Sequence, residues 1–439
     1  MSHPSVVGSA VARLDSWLDT MRTPEGYGGP VAHWWQNCLS FTGAGLDWRY
    51  EGIIHGCLNL YLRTGDAAWL ATARRAGDDL LHGQLADGRF LHSSFELNPY
   101  PGGTPHEAAC DAALLRLAWA VRQHDDPAWR TYLDAAQRNL IDVQVATLWD
   151  EQAHSFRDHP HILSFVPNKA ATLAEALCAL GELSRERLLI ERYALPTLQA
   201  VLGHQVRGGA LDGAIHQCSQ RGRKVAAFSP FYTARCVPGL LAGYAHTGEE
   251  RWVDAALRAM RFVLRWQYDD GSFPQVVYAG GQVNRYPQWI AGAGDILRSM
   301  LLLEPHGLQA DRERSEAWML SGWEPHGAVR TAHGFAAQVS QRDPGLLPEF
   351  RDLLPVVGWG DKAFRYLTEV AVDGDKAALS DRHPEPCITW EAPCQFRGVQ
   401  CRYLEDGATI ELWHGTELWY RWRKGAQWAE TCVPQLWWK

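Results

Sequence analysis

Long apolar runs are missing from this 439-residue chain: it holds no stretch of eighteen consecutive apolar residues, so no segment reads as a membrane-spanning helix. Its first residues, MSHPSVVGSAVARLDSWLDTM, carry no basic stretch followed by an apolar core, and no secretory signal is read there. An excess of positive charge is missing too. With 42 Lys and Arg against 50 Asp and Glu the net charge is −8, the wrong sign for a phosphate-rich partner. Ten cysteines (38, 57, 110, 178, 218, 236, 387, 394, 401 and 432) include no CxxC pair, and neither HxxxH, HExxH nor a Cys/His cluster occurs. These absences lead to the expectation of a cytoplasmic protein with free thiols, no metal, no cofactor, and no nucleic-acid or membrane partner. They leave a homo-oligomer open.

Tryptophan, by contrast, is abundant: there are 21. A repeat is also present. TGDAAWLATARRAGDDLLHGQLADGRF (64–90) and TGEERWVDAALRAMRFVLRWQYDDGSF (247–273) align without a gap, sharing Trp69/Trp252, Arg75/Arg258, Ala76/Ala259, Gln84/Gln267, Gly88/Gly271 and Phe90/Phe273. In the second copy Trp252, Val253, Ala256, Leu257, Met260, Val263 and Leu264 recur at three- and four-residue steps, the pattern of an amphipathic helix. Each copy ends in Q-x-x-D-G-x-F, where Asp-Gly makes a turn. Weaker copies lie at 124–156, 184–215 and the beginning of the chain.

Between these copies run segments rich in Ala, Gly, Leu and Cys: 48–63, 105–123, 167–183, 230–246 and 286–303. Nearly every face of them is small or apolar, as for helices buried on both sides. Outer amphipathic helices therefore alternate with inner buried ones, and such hairpins bury their apolar faces only by stacking on neighbours. The expected fold is mainly α, an (α/α) toroid of five to six helical hairpins over 1–305. A sixth hairpin would have to come from 305–325, which is short. From 327 to 439 the segments GAVRTAHGFAAQVSQ, KAFRYLTEVAVDG, VQCRYLEDG, ATIELWHG and ELWYRWRKG alternate between Gly turns, and a small C-terminal β-rich module is expected there. Trp413, Trp419, Trp422, Trp428, Trp437 and Trp438 would form an aromatic face that packs on the toroid rather than on a ligand.

The Thr-Gly-acid starts, the Q-x-x-D-G-x-F ends and the inner/outer alternation over about 5–303 resemble the six-hairpin glycosidase-like (α/α) toroid superfamily, including toroid polysaccharide lyases and sugar epimerases. The same turn also resembles a repeat of triterpene cyclases, but the D-x-D-D and DDxxD stretches of terpenoid enzymes are missing. What the resemblance implies is a carbohydrate-active enzyme working in the toroid cleft.

In such a ring the first turns of the inner helices face the cleft. Here they offer Trp48, Arg49 and Glu51, then His106, Glu107 and Asp111, then Asn168 and Lys169, then Tyr232 and Arg235, then Arg285, Tyr286 and Trp289, with Asp295 beyond. Plainer roles stand beside these. Asp47 and Thr104 read as N-caps, and Pro105, Pro167, Pro230 and Pro287 as helix starters. His55 reads as a core histidine. Asp111 and Asp295 must either pair with a cation or face a wet cavity, because an unpaired buried carboxylate costs several kcal/mol. Trp34 and Trp35 are either core or a sugar platform.

A β-eliminating lyase needs a cation or amide on a uronate carboxylate and a Tyr or His to move protons. Arg49, Asn168, Lys169, Arg235 and Arg285 suit the first task, and Tyr232, Tyr286 or His106 the second. A glycoside hydrolase, an unsaturated uronyl hydrolase among them, needs two carboxylates, for which Glu51, Glu107, Asp111 and Asp295 are available. The gathering of basic and amide groups leads to an acidic sugar as the expected substrate, with elimination slightly ahead of hydrolysis or epimerisation. A terpenoid cyclase-like enzyme and a non-catalytic carbohydrate-binding scaffold remain the alternatives.

Overall fold

The computed structural model describes residues 6–33, 36–42, 44–91, 105–324, 327–345, 352, 356–371, 390–393, 399–403, 409–414, 416–423 and 430–431. Its long helices are α1 (Val6–Thr20), α2 (Trp48–Thr64), α3 (Ala67–His82), α4 (Ala108–Arg122), α5 (Trp129–Gln137), α6 (Pro167–Ser184) and α7 (Leu195–Gly203). They continue with α8 (Pro230–Arg235), α9 (Val237–Thr247), α10 (Glu250–Arg265), α11 (Ala293–Leu303), α12 (Arg312–Ser321) and α13 (Val357–Val370).

An inner ring forms as α2, α4, α6, α8–α9, α11 and α13 each pack on the next, and α13 packs back on α2. Outside it, α3, α5, α7, α10 and α12 each cover the inner helix that precedes them, and α1 covers α13. The sixth hairpin is thus assembled from the two ends of the toroid sequence. This corrects two expectations. KAFRYLTEVAVDG was read as a strand, and the ring as short of a hairpin; most of that segment instead lies in α13. Val357 through Thr368 are all buried. Its charged residues Asp361, Lys362, Arg365 and Glu369 recur at helical steps, but they meet partners inside the ring instead of water.

Trp69 and Trp252, in α3 and α10, are 1% and 0% exposed, and Trp252 Nε1 donates to Thr247 Oγ1 at 3.1 Å. The glutamines of the repeat tie three outer helices, α3, α7 and α10, to the next one around the ring. Gln84 donates to Gly88 O (3.0 Å) and to Ala135 O in α5 (2.8 Å). Gln205 does the same with Gly213 O and with Ala255 O in α10, and Gln267 reaches Ser315 Oγ in α12 at 2.7 Å. The turn glycine that follows has to be glycine. Gly271 sits at φ +86°, and a Cβ there would lie 2.2 Å from Arg314 O of α12. Gly327, at φ +96°, comes just as close to α1, where its Cβ would meet Arg13 O at 2.5 Å, so the same joint closes the ring.

The five-stranded antiparallel sheet near the C-terminus is a meander, Trp390–Pro393, Val399–Tyr403, Thr409–His414, Glu417–Arg423 and Glu430–Thr431, in chain order. Trp413, Trp419 and Trp422 lie in its strands, and Trp413 Nε1 donates to Glu411 Oε2 at 2.7 Å. Trp428, Trp437 and Trp438 lie outside the described residues, as do Thr104, Trp34 and Trp35. Among the described residues Cys57, Cys110, Cys178, Cys218 and Cys236 are free thiols, and no helix is long and apolar enough to cross a membrane.

Candidate active site

A cavity of about 240 Å³ opens where the inner helices begin. Five of the six inner positions line it. Trp48 comes from the first turn of α2, Asn168 and Lys169 from α6, Phe231, Tyr232 and Arg235 from α8, Asp295 from α11, and Trp359 and Lys362 from α13, with Gln217 and Cys218 entering from the loop after α7.

Each tryptophan is held flat by a second ring. Trp48 stacks on His106 (6.4 Å between centroids, 26°) with the Arg235 guanidinium 5.1 Å from its ring. Trp359 stacks on Trp289 (4.6 Å, 23°) with Lys362 Nζ 5.2 Å from its ring. Two aromatic faces, each paired with a cation, therefore border one space, the surroundings that suit the apolar face of a sugar ring together with an anionic group.

Below the cavity runs a buried ion-pair chain. Arg235 Nη2 donates to both oxygens of Glu51 (2.7 and 2.6 Å), Arg365 Nη1 lies 2.7 Å from Glu51 Oε1, and Arg365 Nη2 donates to Asp295 Oδ1 at 2.5 Å. Burial opposes ionisation of both acids, but Arg235 and Arg365 outweigh it at Glu51, and Arg365, Lys362 and Arg235 do so at Asp295, so both carboxyls are held below their usual range. Such a chain fixes Arg235 and Asp295 in orientation. Losing one member strands a buried charge at a cost of about 3–5 kcal/mol. On the rim side, Lys169 Nζ is 3.1 Å from Asp158 Oδ1, and Lys362 Nζ donates to Gly358 O at 2.7 Å and to Asp361 Oδ1 at 3.2 Å. Burial lifts the Asp361 pKa to about 6 against the pull of Lys362 and Arg365.

Of the residues singled out in the sequence, Trp48, Asn168, Lys169, Tyr232 and Arg235 share the cavity wall, and Asp295 joins them both as a wall residue and as the partner of Arg365. Others stand elsewhere. Glu51 lies behind Arg235, and His106 behind Trp48. Arg49 points away: its Nε and Nη2 grip Asp47 at 2.7 and 2.9 Å and its Nη1 donates to Tyr27 O, while Asp47 also caps α2 through Arg49 N.

Asp111 fulfils neither of its two expectations. It is fully buried, neither oxygen accepts a hydrogen bond among the described residues, and burial, with Glu107 beside it, pushes its pKa well above the usual carboxylate range. Glu107 accepts from Asn139 Nδ2 at 2.9 Å and from Gln144 Nε2 at 3.4 Å, and burial lifts its pKa to about 7.

Arg285, Tyr286 and Trp289 miss the cavity because their helix starts later than the sequence pattern suggests. Gln288 and Trp289 pair as a short strand with His333 and Ala332, and α11 begins only at Ala293, after Gly292. Pro287 is therefore no helix starter. Arg285 is exposed against Tyr268 and Asp270, Tyr286 packs edge-on to His333, and Trp289 lies behind Trp359.

Trp359, Lys362 and Arg365 were missed, although GWGDKAFR opens with an aromatic and charged residues and then turns apolar, as the other inner helices do. Gln217 and Cys218 sit in a connection with no periodic signal. Among the described residues no group of three or more His, Cys, Asp or Glu is placed to hold a metal ion.

No protein-family model and no curated protein sequence matches this chain. Solved structures do. It is similar to the unsaturated glucuronyl hydrolase of Bacillus sp. GL1, responsible for degradation of glycosaminoglycan, at 13% identity over 82% of this chain and 94% of that one, with a TM-score of 0.58. A D-mannose isomerase matches at 11% identity over 84% and 99% of the two chains, TM-score 0.59. An inactive variant of the α-1,6-mannanase of Salegentibacter sp. HEL1_6, in complex with α-1,6-mannotriose, matches at 12% over 85% and 99%, TM-score 0.54. With its six inner and six outer helix positions closed into one ring, the chain has the fold of the six-hairpin glycosidase-like (α/α) toroid enzymes.

Proposed function

We propose that the protein is a carbohydrate-active enzyme that takes an oligosaccharide or glycoside bearing a uronic sugar into the cavity between Trp48 and Trp359, and that it cleaves by β-elimination. The observation that carries this reading is the composition of the wall. Three cations (Lys169, Arg235, Lys362) and two amides (Asn168, Gln217) surround one tyrosine, with one carboxylate, Asp295, among the lining residues. A uronate carboxylate placed among these cations and amides loses part of its charge, which acidifies the proton on C5. Tyr232, on the same wall, is placed to take that proton as its phenolate while the C4–C5 double bond forms and the C4–O bond breaks, and then to return the proton to the leaving oxygen. Arg235 is locked by Glu51 before substrate arrives, so its charge needs no reorganisation in the transition state.

Hydrolysis of an unsaturated uronyl group is the second reading. It is favoured by the likeness to a glucuronyl hydrolase and by Asp295 on the wall. One experiment separates the two. Elimination creates a conjugated alkene–carboxylate and raises ultraviolet absorbance during incubation with saturated uronate oligosaccharides. Hydrolysis of unsaturated oligosaccharides consumes that chromophore and lowers it. New reducing ends with no absorbance change on either substrate would sink elimination, and inertness toward all uronate glycans would sink the uronate reading altogether.

A further inference from the structure

The ring has a second opening. At the far ends of the inner helices lies a separate cavity of about 570 Å³, lined from α2, α4, α6 and α11. Its inner wall holds Arg116, Arg298, His55 and Glu175, and Trp119 stands at its rim, 44% exposed. None of these residues borders the cavity at the front.

The polar groups here are incompletely used. Arg298 is 7% exposed, and its Nε donates to Glu369 Oε1 at 2.7 Å while its Nη1 finds no acceptor among the described residues. His55 is 4% exposed, with Nε2 3.4 Å from Ala112 O and no partner for Nδ1. Arg116 binds only the neutral side chain of Asn59 through Nη2. Glu175 Oε2 accepts no hydrogen bond, and burial raises the Glu175 pKa, so the acid that would balance the arginines is biased toward its neutral form. Burial first, and then Arg298 and Arg365 nearby, pulls the Arg116 pKa down to about 10 against the opposing effect of Glu369 and Glu175. A structural role accounts for part of the cluster. Arg122 and Arg185 end α4 and α6, where cations offset the helix dipole, and Glu182 is taken up by His246 at 3.2 Å. Arg116 and Arg298 lie in the middle of their helices, and the dipole does not explain them.

We propose that this rear cavity is a binding site for a sugar carrying a phosphate or sulfate ester, with the ester on Arg116 and Arg298 and the sugar ring against Trp119. Guanidinium groups bind such oxyanions through paired N–H donors. The cavity is larger than a bare ion needs, and the exposed indole supplies the flat face that the rest of the molecule would cover. The proposal is independent of the reaction assigned to the front cavity.

Calorimetric titration of the whole chain with glucose 6-phosphate, glucose 6-sulfate and glucose tests it. One or both esters should bind and glucose should not, and the preference between them identifies the source of the anion. Arg116→Gln should weaken ester binding at least about tenfold, the scale of one charge-assisted pair. Trp119→Ala, on the exposed rim and harmless to folding, should weaken it roughly three- to tenfold. Lys169→Met, in the front cavity, should leave it unchanged. Failure of both esters to bind, or binding lost with Lys169→Met and kept with Trp119→Ala, overturns the proposal.

Discussion

Helices α3 and α10 share Trp69/Trp252, Ala73/Ala256, Arg75/Arg258, Ala76/Ala259 and Leu81/Leu264 at equivalent positions, whereas the inner helices before them, α2 and α9, share little beyond small and apolar composition. The outer pair does one job at equivalent places. Each buries a tryptophan against its own inner helix and hands a glutamine and a turn glycine to the next outer helix. The inner helices share only the requirement to be narrow, and their first turns are free to differ. The cavity wall is built from those differences: an indole from α2, an amide and a lysine from α6, a tyrosine and an arginine from α8, a carboxylate from α11. Repetition holds the ring together, and departure from repetition supplies its chemistry.

That contrast breaks if outer-wall residues prove dispensable. Trp252→Ala removes a fully buried indole and should lower folding stability by about 3–5 kcal/mol in denaturant titration, with Trp69→Ala similar. A loss below about 1 kcal/mol would show that the repeat does not carry the architecture.

The inner wall should behave in the opposite way. Tyr232→Phe keeps the ring and removes one hydroxyl, so stability should change by no more than about 1–2 kcal/mol while turnover falls at least about 10²-fold. Full activity would take the proton role from Tyr232. Lys169→Met sharpens the same point, because it should cripple turnover of uronates and spare any neutral analogue that reacts.

Between these extremes lies Glu107, an inner-helix acid in a dry setting. Burial lifts its pKa from the ordinary 4.5 to about 7, so the folded chain holds this proton more tightly than the unfolded chain. The group favours folding fully below about pH 4.5, and that contribution is lost as pH rises through about 7. Glu107→Gln titrates nowhere. Its stability relative to the wild type should therefore improve by on the order of 2–3 kcal/mol between pH 4.5 and about pH 8. A flat difference across that window would show that Glu107 is ionised in the folded state. The smallest effect belongs to the ties of the outer wall: Gln267→Ala should cost about 1 kcal/mol, the worth of one hydrogen bond, and leave turnover unchanged.

The alternation of amphipathic and small-residue helices was legible because each outer helix shows one face to water and one to the ring, a difference that its sequence records with a helical period. The starts of α2, α6 and α8 could be placed for the same reason, since Asp47, Pro167 and Pro230 mark them, and there the candidates reach the cavity. The sequence by itself thus determined the hairpins, their order and which end of each inner helix is polar. Tertiary structure alone decided the rest. α13 carries its charges at helical steps, yet its place in the ring follows only from α2 and α11 enclosing it and α1, from the other end of the chain, covering it. Which carboxylates meet a guanidinium and which do not was also beyond the sequence. Glu51, Asp111 and Asp295 are all acids near the starts of inner helices, and the arginines that separate their fates, Arg235 and Arg365, arrive from elsewhere in the chain. A pKa depends on distances through space, and those exist only once the ring has closed.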